Sequence, residues 1–286
     1  MKIAITGATG QLGQWVIQSL LKQTDAKNIV ALVRDLDKAS SLKQQGIETR
    51  LFNYDQPETL VPALVGIEKL LLISANEVGR RTPQHRAVIE AAKVAAIQHI
   101  VYTSLLRADQ SPLGLAQEHR ETEAIIKTSG LSYTILRNNW YSENYLAGLA
   151  HNIESGLLFG TAQDGKISSA SRQDYAEAAA AVLLGTGHEN KTYELAGSTS
   201  FTQSDLAQFI SKASGKPVHF QNLSAEEYTQ GLIQAGLPEG LVQVIVDADV
   251  HTRDGAMFSE SRDLERLTGR KTTPISTSIQ QALNTL

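Results

Sequence analysis

A glycine-rich segment near the start of the chain constrains the fold more than any other feature. It follows the short apolar run Ile3-Ala4-Ile5, and apolar residues at helical spacing continue behind it to Leu20. The segment consists of Gly7, Ala8, Thr9, Gly10, Gln11, Leu12 and Gly13. Its glycines permit a tight turn, close approach of phosphates and close packing of helix on strand, and the helix N-terminus offers free N–H groups to an anion. A structural glycine turn is the alternative, but the flanking strand and helix favour a dinucleotide pyrophosphate site.

Strand-like and helix-like patterns alternate through the first half of the chain. Strands are predicted at 28–33, 48–52, 70–73, 99–103 and 133–136, and helices at 36–45, 83–96 and 115–129. Near-continuous apolar strands separated by helices indicate a parallel sheet that is covered on both faces. We therefore expect a doubly wound parallel-sheet α/β fold of the Rossmann type over residues 1–137, completed by about 170–197.

The pattern changes after residue 137. A loop-rich stretch leads to a helix that starts near Asp174 and to a strand at 192–195. The spacing then predicts helices at 202–214, 224–235, 238–250 and 275–285, with one strand at 217–220. We expect residues 138–169 and 198–286 to form a smaller, mostly helical C-terminal lobe. Because ligands favour clefts between domains, the second ligand is expected beside this lobe.

Composition excludes several classes of function. The net charge of −4 over 286 residues gives no electrostatic reason to bind nucleic acid or an anionic membrane surface. No apolar run reaches the ~20 residues of a membrane span, so we expect a cytoplasmic protein without membrane insertion. The chain has no cysteines, which excludes disulfides and thiolate chemistry. No histidine pair has metal-ligand spacing, so no metal is expected.

Arg34 follows the second predicted strand and bears on the choice of cofactor. An acidic residue in this region selects NAD through the ribose 2′-hydroxyl, whereas an arginine accommodates the 2′-phosphate of NADP. Asp35 directly follows and is the acidic alternative, and a solvated arginine at a strand end is a further explanation. The guanidinium group favours NADPH as the cofactor.

Small polar residues follow the fourth and fifth strands. Ser74, Ala75 and Asn76 are expected over the pyrophosphate and the nicotinamide-side ribose, although an ordinary loop has the same composition. Thr103 and Ser104 lie where a hydroxyl reaches nicotinamide or substrate, or where they merely precede a helix. Because the carboxyl ends of parallel strands meet at one edge of a sheet, we predict that both segments line the cofactor site.

An absence on the next helix narrows the chemistry. Many short-chain dehydrogenases use a tyrosine with a lysine four residues later, and no tyrosine of this chain has a lysine at that spacing. On the corresponding helix, His119 and Glu123 are i, i+4 neighbours on one face. A paired carboxylate would raise the imidazole pKa and make His119 a proton donor near neutrality. An exposed salt link on the helix surface is the alternative.

The segment 136–145 is the second most informative stretch. Its strand is followed by Asn138, Asn139, Trp140, Tyr141, Ser142, Glu143, Asn144 and Tyr145. Asn138 and Asn144 are suited to bind a carboxamide or a carbonyl, and Trp140 or Tyr141 to stack on a flat ring. Core aromatics that anchor the lobe are the alternative, but the concentration of amides at a strand end favours ligand contact.

With these features the chain resembles the atypical short-chain dehydrogenases of the NmrA-like group over essentially its whole length. The glycine loop, residues 103–106, residues 136–145 and residues 193–197 carry the resemblance. The resemblance implies NADPH contacts from the loop through Leu12, from Arg34, from Ser74 to Asn76 and from Asn138 to Glu143. It also implies a quinone that docks over the nicotinamide near the aromatic segment. The Trp140-Tyr141 pair favours the quinone-reducing branch over the branch that reduces triphenylmethane dyes, and Arg172 is a further candidate for cofactor contact.

The predicted activity is hydride transfer from NADPH to a quinone. A ketone needs a proton donor as the hydride arrives, whereas a quinone becomes an aromatic hydroquinone anion that water protonates afterwards. Positioning then matters more than acid catalysis. Asn138, Trp140 and Tyr141 are the predicted acceptor contacts, and His119 or Ser104 at most polarises an oxygen. The alternatives are a non-catalytic NADP(H) sensor of the same fold and a reductase of other flat acceptors such as dyes.

Overall fold

The structure, a computed structural model, describes residues 1–286 and separates into two compact units. The first unit contains residues 1–109, 117–138 and 172–194. The second contains residues 110–116, 139–171 and 195–286. The chain therefore passes from one unit to the other at several points rather than once.

Nine strands and twelve α-helices make up the fold. The strands are β1 (Ile3–Ile5), β2 (Ile29–Val33), β3 (Glu48–Leu51), β4 (Lys69–Leu72), β5 (His99–Leu105), β6 (Ser132–Asn138), β7 (Leu157–Gly160), β8 (Lys191–Leu195) and β9 (His219–Asn222). The helices are α1 (Gln11–Leu21), α2 (Ser40–Gln44), α3 (Leu60–Leu64), α4 (Arg81–Val94), α5 (Ala116–Thr128), α6 (Leu149–Ser155), α7 (Arg172–Leu184), α8 (Gln203–Ser214), α9 (Ala225–Gln234), α10 (Glu239–Arg253), α11 (Asp263–Thr268) and α12 (Ile275–Leu283).

The first unit is built on a seven-stranded sheet of order β3-β2-β1-β4-β5-β6-β8. Strands β1 to β6 pair in parallel, and Ile5 of β1 lies opposite Ala31 of β2 on one side and Leu71 of β4 on the other. The strand order reverses between β1 and β4, so this is the topological switch point, where open α/β sheets bind ligands at the carboxyl ends of the strands.

Alternate residues of the central strands pack into opposite faces of this sheet. One core contains Ala4 of β1, Leu72 of β4 and Tyr102 of β5, together with residues of α3, α4 and Ile126 of α5. On the other face α7 packs against β5 and β6, and α1 packs against α7. The helices on both faces of a parallel sheet confirm the predicted doubly wound α/β fold.

The second unit is mostly helical, as predicted. It contains α6 and α8 to α12, and β7 pairs in parallel with β9 from Leu157–His219 to Gly160–Asn222. Capping boxes start α8 at Thr202 and α9 at Ser224, each closed by an acidic residue three positions later. None of the helices of the protein is both long and apolar enough to cross a bilayer.

Four elements were not predicted from the sequence: α3, α6, β7 and α11. Two of these elements, α6 and β7, lie in the stretch that was expected to be rich in loops. Its glycines end regular elements instead of forming one long loop. Gly156 ends α6 in the left-handed conformation at φ 72°. Gly160 ends β7 where the amide group of Gln203 leaves no space for a Cβ atom. The strand predicted at 217–220 lies two residues later, as β9.

Candidate cofactor and active site

The glycine loop joins β1 to α1 at the switch point. Gly7 has a φ of +59°, and the N–H of Gly10 donates to the Gly7 carbonyl oxygen at 2.9 Å, which closes the turn. Gly10 is the N-cap of α1 and brings no side chain to the helix end, whose first turn also lacks an acidic residue. The first N–H to reach a helical carbonyl is that of Gln14. The N–H groups of Gln11, Leu12 and Gly13 are therefore available to an anion such as a pyrophosphate.

Residues of the loop divide into exposed and buried positions. Gly7, Thr9, Gly10 and Gln11 are exposed, whereas Ala8, Leu12 and Gly13 are buried. A Cβ atom on Gly13 would lie 2.8 Å from the Ala8 Cα atom and 2.9 Å from the Gly7 carbonyl carbon. The third glycine therefore allows the helix to start directly against the loop, which is the packing role its position predicts.

The backbone of the segment that follows β4 is held by hydrogen bonds to side chains of neighbouring elements. Three successive N–H groups bind side chains rather than backbone: Ile73 donates to Thr6 Oγ1 at 2.9 Å, Ser74 to Thr103 Oγ1 at 2.9 Å and Ala75 to His85 Nε2 at 3.0 Å. Thr103 thus lies beside Ser74, and both lie at the carboxyl ends of β4 and β5. We call residues Ser74 to Asn76 the β4 loop.

Arg34 lies directly after β2, and its side chain is 60 % exposed. Its Nη1 atom donates to Glu77 Oε1 at 2.9 Å, and the other oxygen of Glu77 accepts from Arg80. The guanidinium is therefore located at the same edge as the glycine loop and next to the segment after β4. The Glu77 carboxylate holds the guanidinium in place, but it also brings a negative charge close to the predicted position of the 2′-phosphate, which it would repel.

Ser104 and Glu123 belong to a buried ionic network. Ser104 Oγ donates to Glu123 Oε1 at 2.6 Å, and Arg137 donates Nε and Nη2 to the two carboxylate oxygens at 2.9 and 2.8 Å. Arg137 is 6 % exposed and also binds Asp109 and Glu194 at 2.8 Å. Burial raises the pKa of Glu123, but the hydrogen bonds from Arg137 and Ser104 and the nearby positive charges lower it further, to a net value below its usual range.

The predicted pair of His119 with Glu123 is wrong. Glu123 binds Ser104 and Arg137, whereas His119 is 5 % exposed and lies between Arg81 Nη1 at 3.3 Å and the Tyr102 hydroxyl at 2.7 Å. An arginine only donates, so His119 Nε2 accepts and Nδ1 carries the proton toward Tyr102. Burial, aided by the Arg81 charge, lowers the pKa of His119 to about 3. His119 is therefore a neutral buried side chain, neither a proton donor near neutrality nor part of an exposed salt link.

Asn138 ends β6 at the same edge, opposite Leu105 of β5. Its side chain is 5 % exposed, and its Oδ1 atom is buried without a hydrogen-bond partner. A buried amide oxygen without a partner costs about 1–3 kcal/mol, which a ligand that donates a hydrogen bond would recover. A primary carboxamide such as that of nicotinamide both donates and accepts, so the chemistry of Asn138 fits this group.

Asn139 begins the second of the three stretches that form the second unit, and its side chain has a structural role. The Nδ2 atom donates to the carbonyl oxygens of Ser168 and Met257, both at 2.9 Å, and Oδ1 accepts from the N–H of Trp140. Its donors are fully used within the unit, so the predicted cofactor contact through this amide is corrected. Ser142 has no exposed surface and its hydroxyl binds that of Ser169 at 2.9 Å, so its side chain is likewise used internally.

The remaining predicted contacts of the second unit are partly exposed. Trp140, Tyr141 and Glu143 are half-buried, Asn144 is exposed, and Tyr145 packs edge-on against Phe201 with ring centroids 5.8 Å apart. In the first unit, Arg172 is the first residue of α7 and is half-buried. These positions do not test the predicted ligand contacts of Trp140, Tyr141, Glu143 and Arg172, which stay predictions.

Comparison with known proteins decides the family. A family model described as NAD(P)H-binding matches residues 7–185, which include the glycine loop, β4 and its loop, and Asn138. The chain belongs to this NAD(P)H-binding family. It is 52 % identical to quinone oxidoreductase 2 of Escherichia coli, over 99 % of both chains.

Solved structures agree with this relationship. The crystal structure of the NADPH-dependent quinone oxidoreductase of Escherichia coli complexed with NADPH matches with a TM-score of 0.96, covering 99 % of this chain and 100 % of that one. The triphenylmethane reductase of Citrobacter sp. complexed with NADP(H) is 41 % identical, with a TM-score of 0.95 over 98 % of this chain and 100 % of that one. The predicted resemblance is confirmed to this extent: the chain is similar over its full length both to a quinone oxidoreductase and to a triphenylmethane reductase.

Three residues that shape this edge of the sheet were not predicted from the sequence. Thr6, Arg81 and His85 bind the backbone of residues 73 to 75 through their side chains. Thr6 directly precedes the glycine loop, whereas Arg81 and His85 are ordinary residues of a helix start by composition. Only the position of α4 against the β4 loop reveals their contacts.

Proposed function

We propose that this protein is an NADPH-dependent quinone reductase that transfers a hydride to the acceptor and leaves the second proton to water. The N–H groups at the start of α1, which have no helical acceptor, and the unpartnered amide oxygen of Asn138 supply what the pyrophosphate and the carboxamide of NADPH need, so the residues fit this cofactor. When bound, NADPH supplies the hydride. The full-length similarity to the quinone oxidoreductase of Escherichia coli supports the same reaction here.

One observation carries the choice of a quinone over a ketone. Two groups of the first unit were candidates to protonate an acceptor oxygen, and each of them already donates its hydrogen bond to a buried side chain. Ser104 donates to Glu123, and His119 donates to Tyr102 while its other nitrogen accepts from Arg81. Quinone reduction tolerates this arrangement, because two electrons and one proton arrive as hydride and the resulting hydroquinone anion is stable enough to take its proton from water.

In this proposal the residues of the chain bind and orient rather than transfer protons. The helix N-terminus holds the pyrophosphate, Arg34 selects the 2′-phosphate and Asn138 fixes the nicotinamide through its carboxamide. Trp140 and Tyr141 remain the predicted stacking partners of the quinone. Orientation of this kind accounts for large rate effects when the reacting atoms are held in contact. We place the protein in the cytoplasm, where NADPH and quinone acceptors are both available.

The test follows loss of nicotinamide absorbance with purified protein, NADPH and a benzoquinone, with NADH as the parallel arm. We expect turnover with NADPH to exceed that with NADH. Asn138→Ala should slow turnover by about tenfold or more, because the hydrogen bond that its amide is proposed to make with the carboxamide of NADPH is lost from a buried position. Asn222→Ala is the matched control, since Asn222 also ends a strand but is exposed and lies in the second unit. Tight NADPH binding without turnover of any quinone would refute the enzyme and favour a sensor.

The likeness to a triphenylmethane reductase favours a second acceptor class for the same assay. A triphenylmethane dye should therefore be run beside the benzoquinone. Faster turnover of the dye would replace the quinone as the proposed acceptor without changing the cofactor.

A further inference from the structure

Two buried side chains of α4 bind both backbone polar groups of one residue in the β4 loop, Ala75. The N–H of Ala75 donates to His85 Nε2 at 3.0 Å, and Arg81 Nε donates to the Ala75 carbonyl oxygen at 2.6 Å. His85 has no exposed surface and Arg81 is 7 % exposed. The loop is therefore fixed by side chains at the switch point, where a regular strand would be fixed by backbone ladders.

The hydrogen bonds of His85 fix its proton. Thr122 donates its hydroxyl to the Glu118 carbonyl oxygen at 2.8 Å, so it accepts from His85 Nδ1 at 2.9 Å. Nδ1 then carries the proton and Nε2 is free to accept from Ala75, which requires a neutral imidazole. Burial, with the charge of Arg81, lowers the pKa of His85 to about 3 and keeps it neutral.

Arg81 is a cation in an unusual place. Its guanidinium binds a carbonyl oxygen and the neutral His119, with no carboxylate among its side-chain partners. It also lies in the first turn of α4, where the helix dipole disfavours positive charge. Glu118 partly offsets this by accepting from the N–H groups of Gly79 and Arg81. A buried guanidinium in such surroundings is unfavourable for stability alone, and what it binds at this position is the carbonyl oxygen of the β4 loop and His119.

We propose that His85 and Arg81 are positioning residues that hold the β4 loop in the shape that receives the nicotinamide-side half of NADPH. The inference rests on the proposed function only for the identity of the cofactor. Loss of either side chain leaves the strands and helices paired but releases one of the two backbone groups of Ala75, the N–H or the carbonyl oxygen. NADPH binding should therefore weaken more than folding does.

The experiment compares histidine variants in the full chain by NADPH affinity, from titration of nicotinamide fluorescence, and by thermal unfolding. His85→Leu removes the acceptor, and we expect the Kd for NADPH to rise on the order of tenfold. His85→Gln keeps an acceptor near the Nε2 position and should restore most of the affinity. His99→Leu is the matched control, because His99 is 6 % exposed and binds Thr134 at 2.8 Å at the amino end of β5, opposite the cofactor edge.

A merely structural role predicts a different result. In that case His85→Leu and His99→Leu would lower the melting temperature alike and leave the Kd for NADPH unchanged, which would overturn the proposal. If His85→Leu does not fold, Arg81→Lys provides the second test, since a lysine cannot bind Ala75 and His119 together in the geometry of a guanidinium. We expect the same rise in Kd, and an unchanged Kd would again refute the role. Because the readout is binding, failure of quinone turnover would count against the proposed function and not against this inference.

Discussion

Gly13 offers a sharp test of how the nucleotide loop is built. A methyl group at this position would meet backbone atoms only: the Ala8 Cα atom at 2.8 Å, the Gly7 carbonyl carbon at 2.9 Å and the Gly7 carbonyl oxygen closer still. Flexible side chains could turn aside, but these atoms belong to the turn that Gly7 and Gly10 close by their hydrogen bond. The substitution Gly13→Ala must therefore separate α1 from the loop.

The size of the separation follows from packing distances. Carbon atoms pack at ~3.5 Å, so the 2.8 Å approach to Ala8 falls short by about 0.7 Å. Overpacking of this kind costs about 1–3 kcal/mol of stability. A shift of this size also moves the N–H groups of α1 relative to the loop that shares the phosphate, so we expect the Kd for NADPH to rise by about tenfold or more, or ~1.4 kcal/mol.

The assay measures the Kd for NADPH by fluorescence titration and the melting temperature of the same samples. Gly231→Ala is the matched control, because Gly231 lies within α9 with nothing within 4 Å of its added methyl group. That variant should keep the wild-type affinity and gain about 0.5–1 kcal/mol from helix propensity. If Gly13→Ala binds NADPH as the wild type does, the close packing of α1 on the loop is not needed to hold the phosphate.

Three further substitutions test other parts of the structure. Glu77→Gln removes the carboxylate that binds Arg34, and an exposed pair of this kind is worth about 0.2–1 kcal/mol. We therefore expect two- to fivefold tighter binding of NADPH at low salt and no change for NADH. Equal changes for both nucleotides would contradict this. Glu123→Gln leaves Arg137 buried without its bidentate partner and should cost about 3 kcal/mol in urea unfolding, whereas a loss below 1 kcal/mol would show that Asp109 and Glu194 suffice. Burial raises the pKa of Asp249, so its contribution to stability is fully present below the unfolded pKa and is lost as the pH rises through the folded pKa. Asp249→Asn should therefore raise the melting temperature at pH 7.5 and give a smaller gain near pH 4, and a gain that grows on acidification would refute the sign.

Local sequence patterns were sufficient to predict the secondary structure that carries the candidate cofactor site. The strand, the glycine loop and α1 are consecutive in sequence, so spacing alone located them, and Arg34 follows from the end of β2. The partner of Glu123 lies elsewhere, because β6 brings Arg137 beside α5 only in the folded sheet. The i, i+4 rule therefore pointed to His119, which the fold buries against Tyr102 instead.

Asn138 and Asn139 show the limit most clearly. They are adjacent and chemically identical, yet one has an unpartnered amide oxygen and the other has every donor used. The difference arises from the carbonyl groups of Ser168 and Met257, which are distant in sequence. A sequence pattern cannot distinguish an amide that is free for a ligand from one that fastens two loops.

The packing of α1 against α7 has a consequence for the synthesis of the protein. Residues 22–171 must leave the ribosome after α1 before its partner helix exists, and β8 follows later still at the edge of the sheet. Contacts between such distant segments slow folding, so the first unit cannot complete its fold until α7 and β8 have been synthesised. A fragment that stops at Asn138 would lack both α7 and the neighbour of β6. A continuous fragment that contains the whole first unit must therefore extend to Glu194 and carries residues 110–116 and 139–171 of the second unit with it.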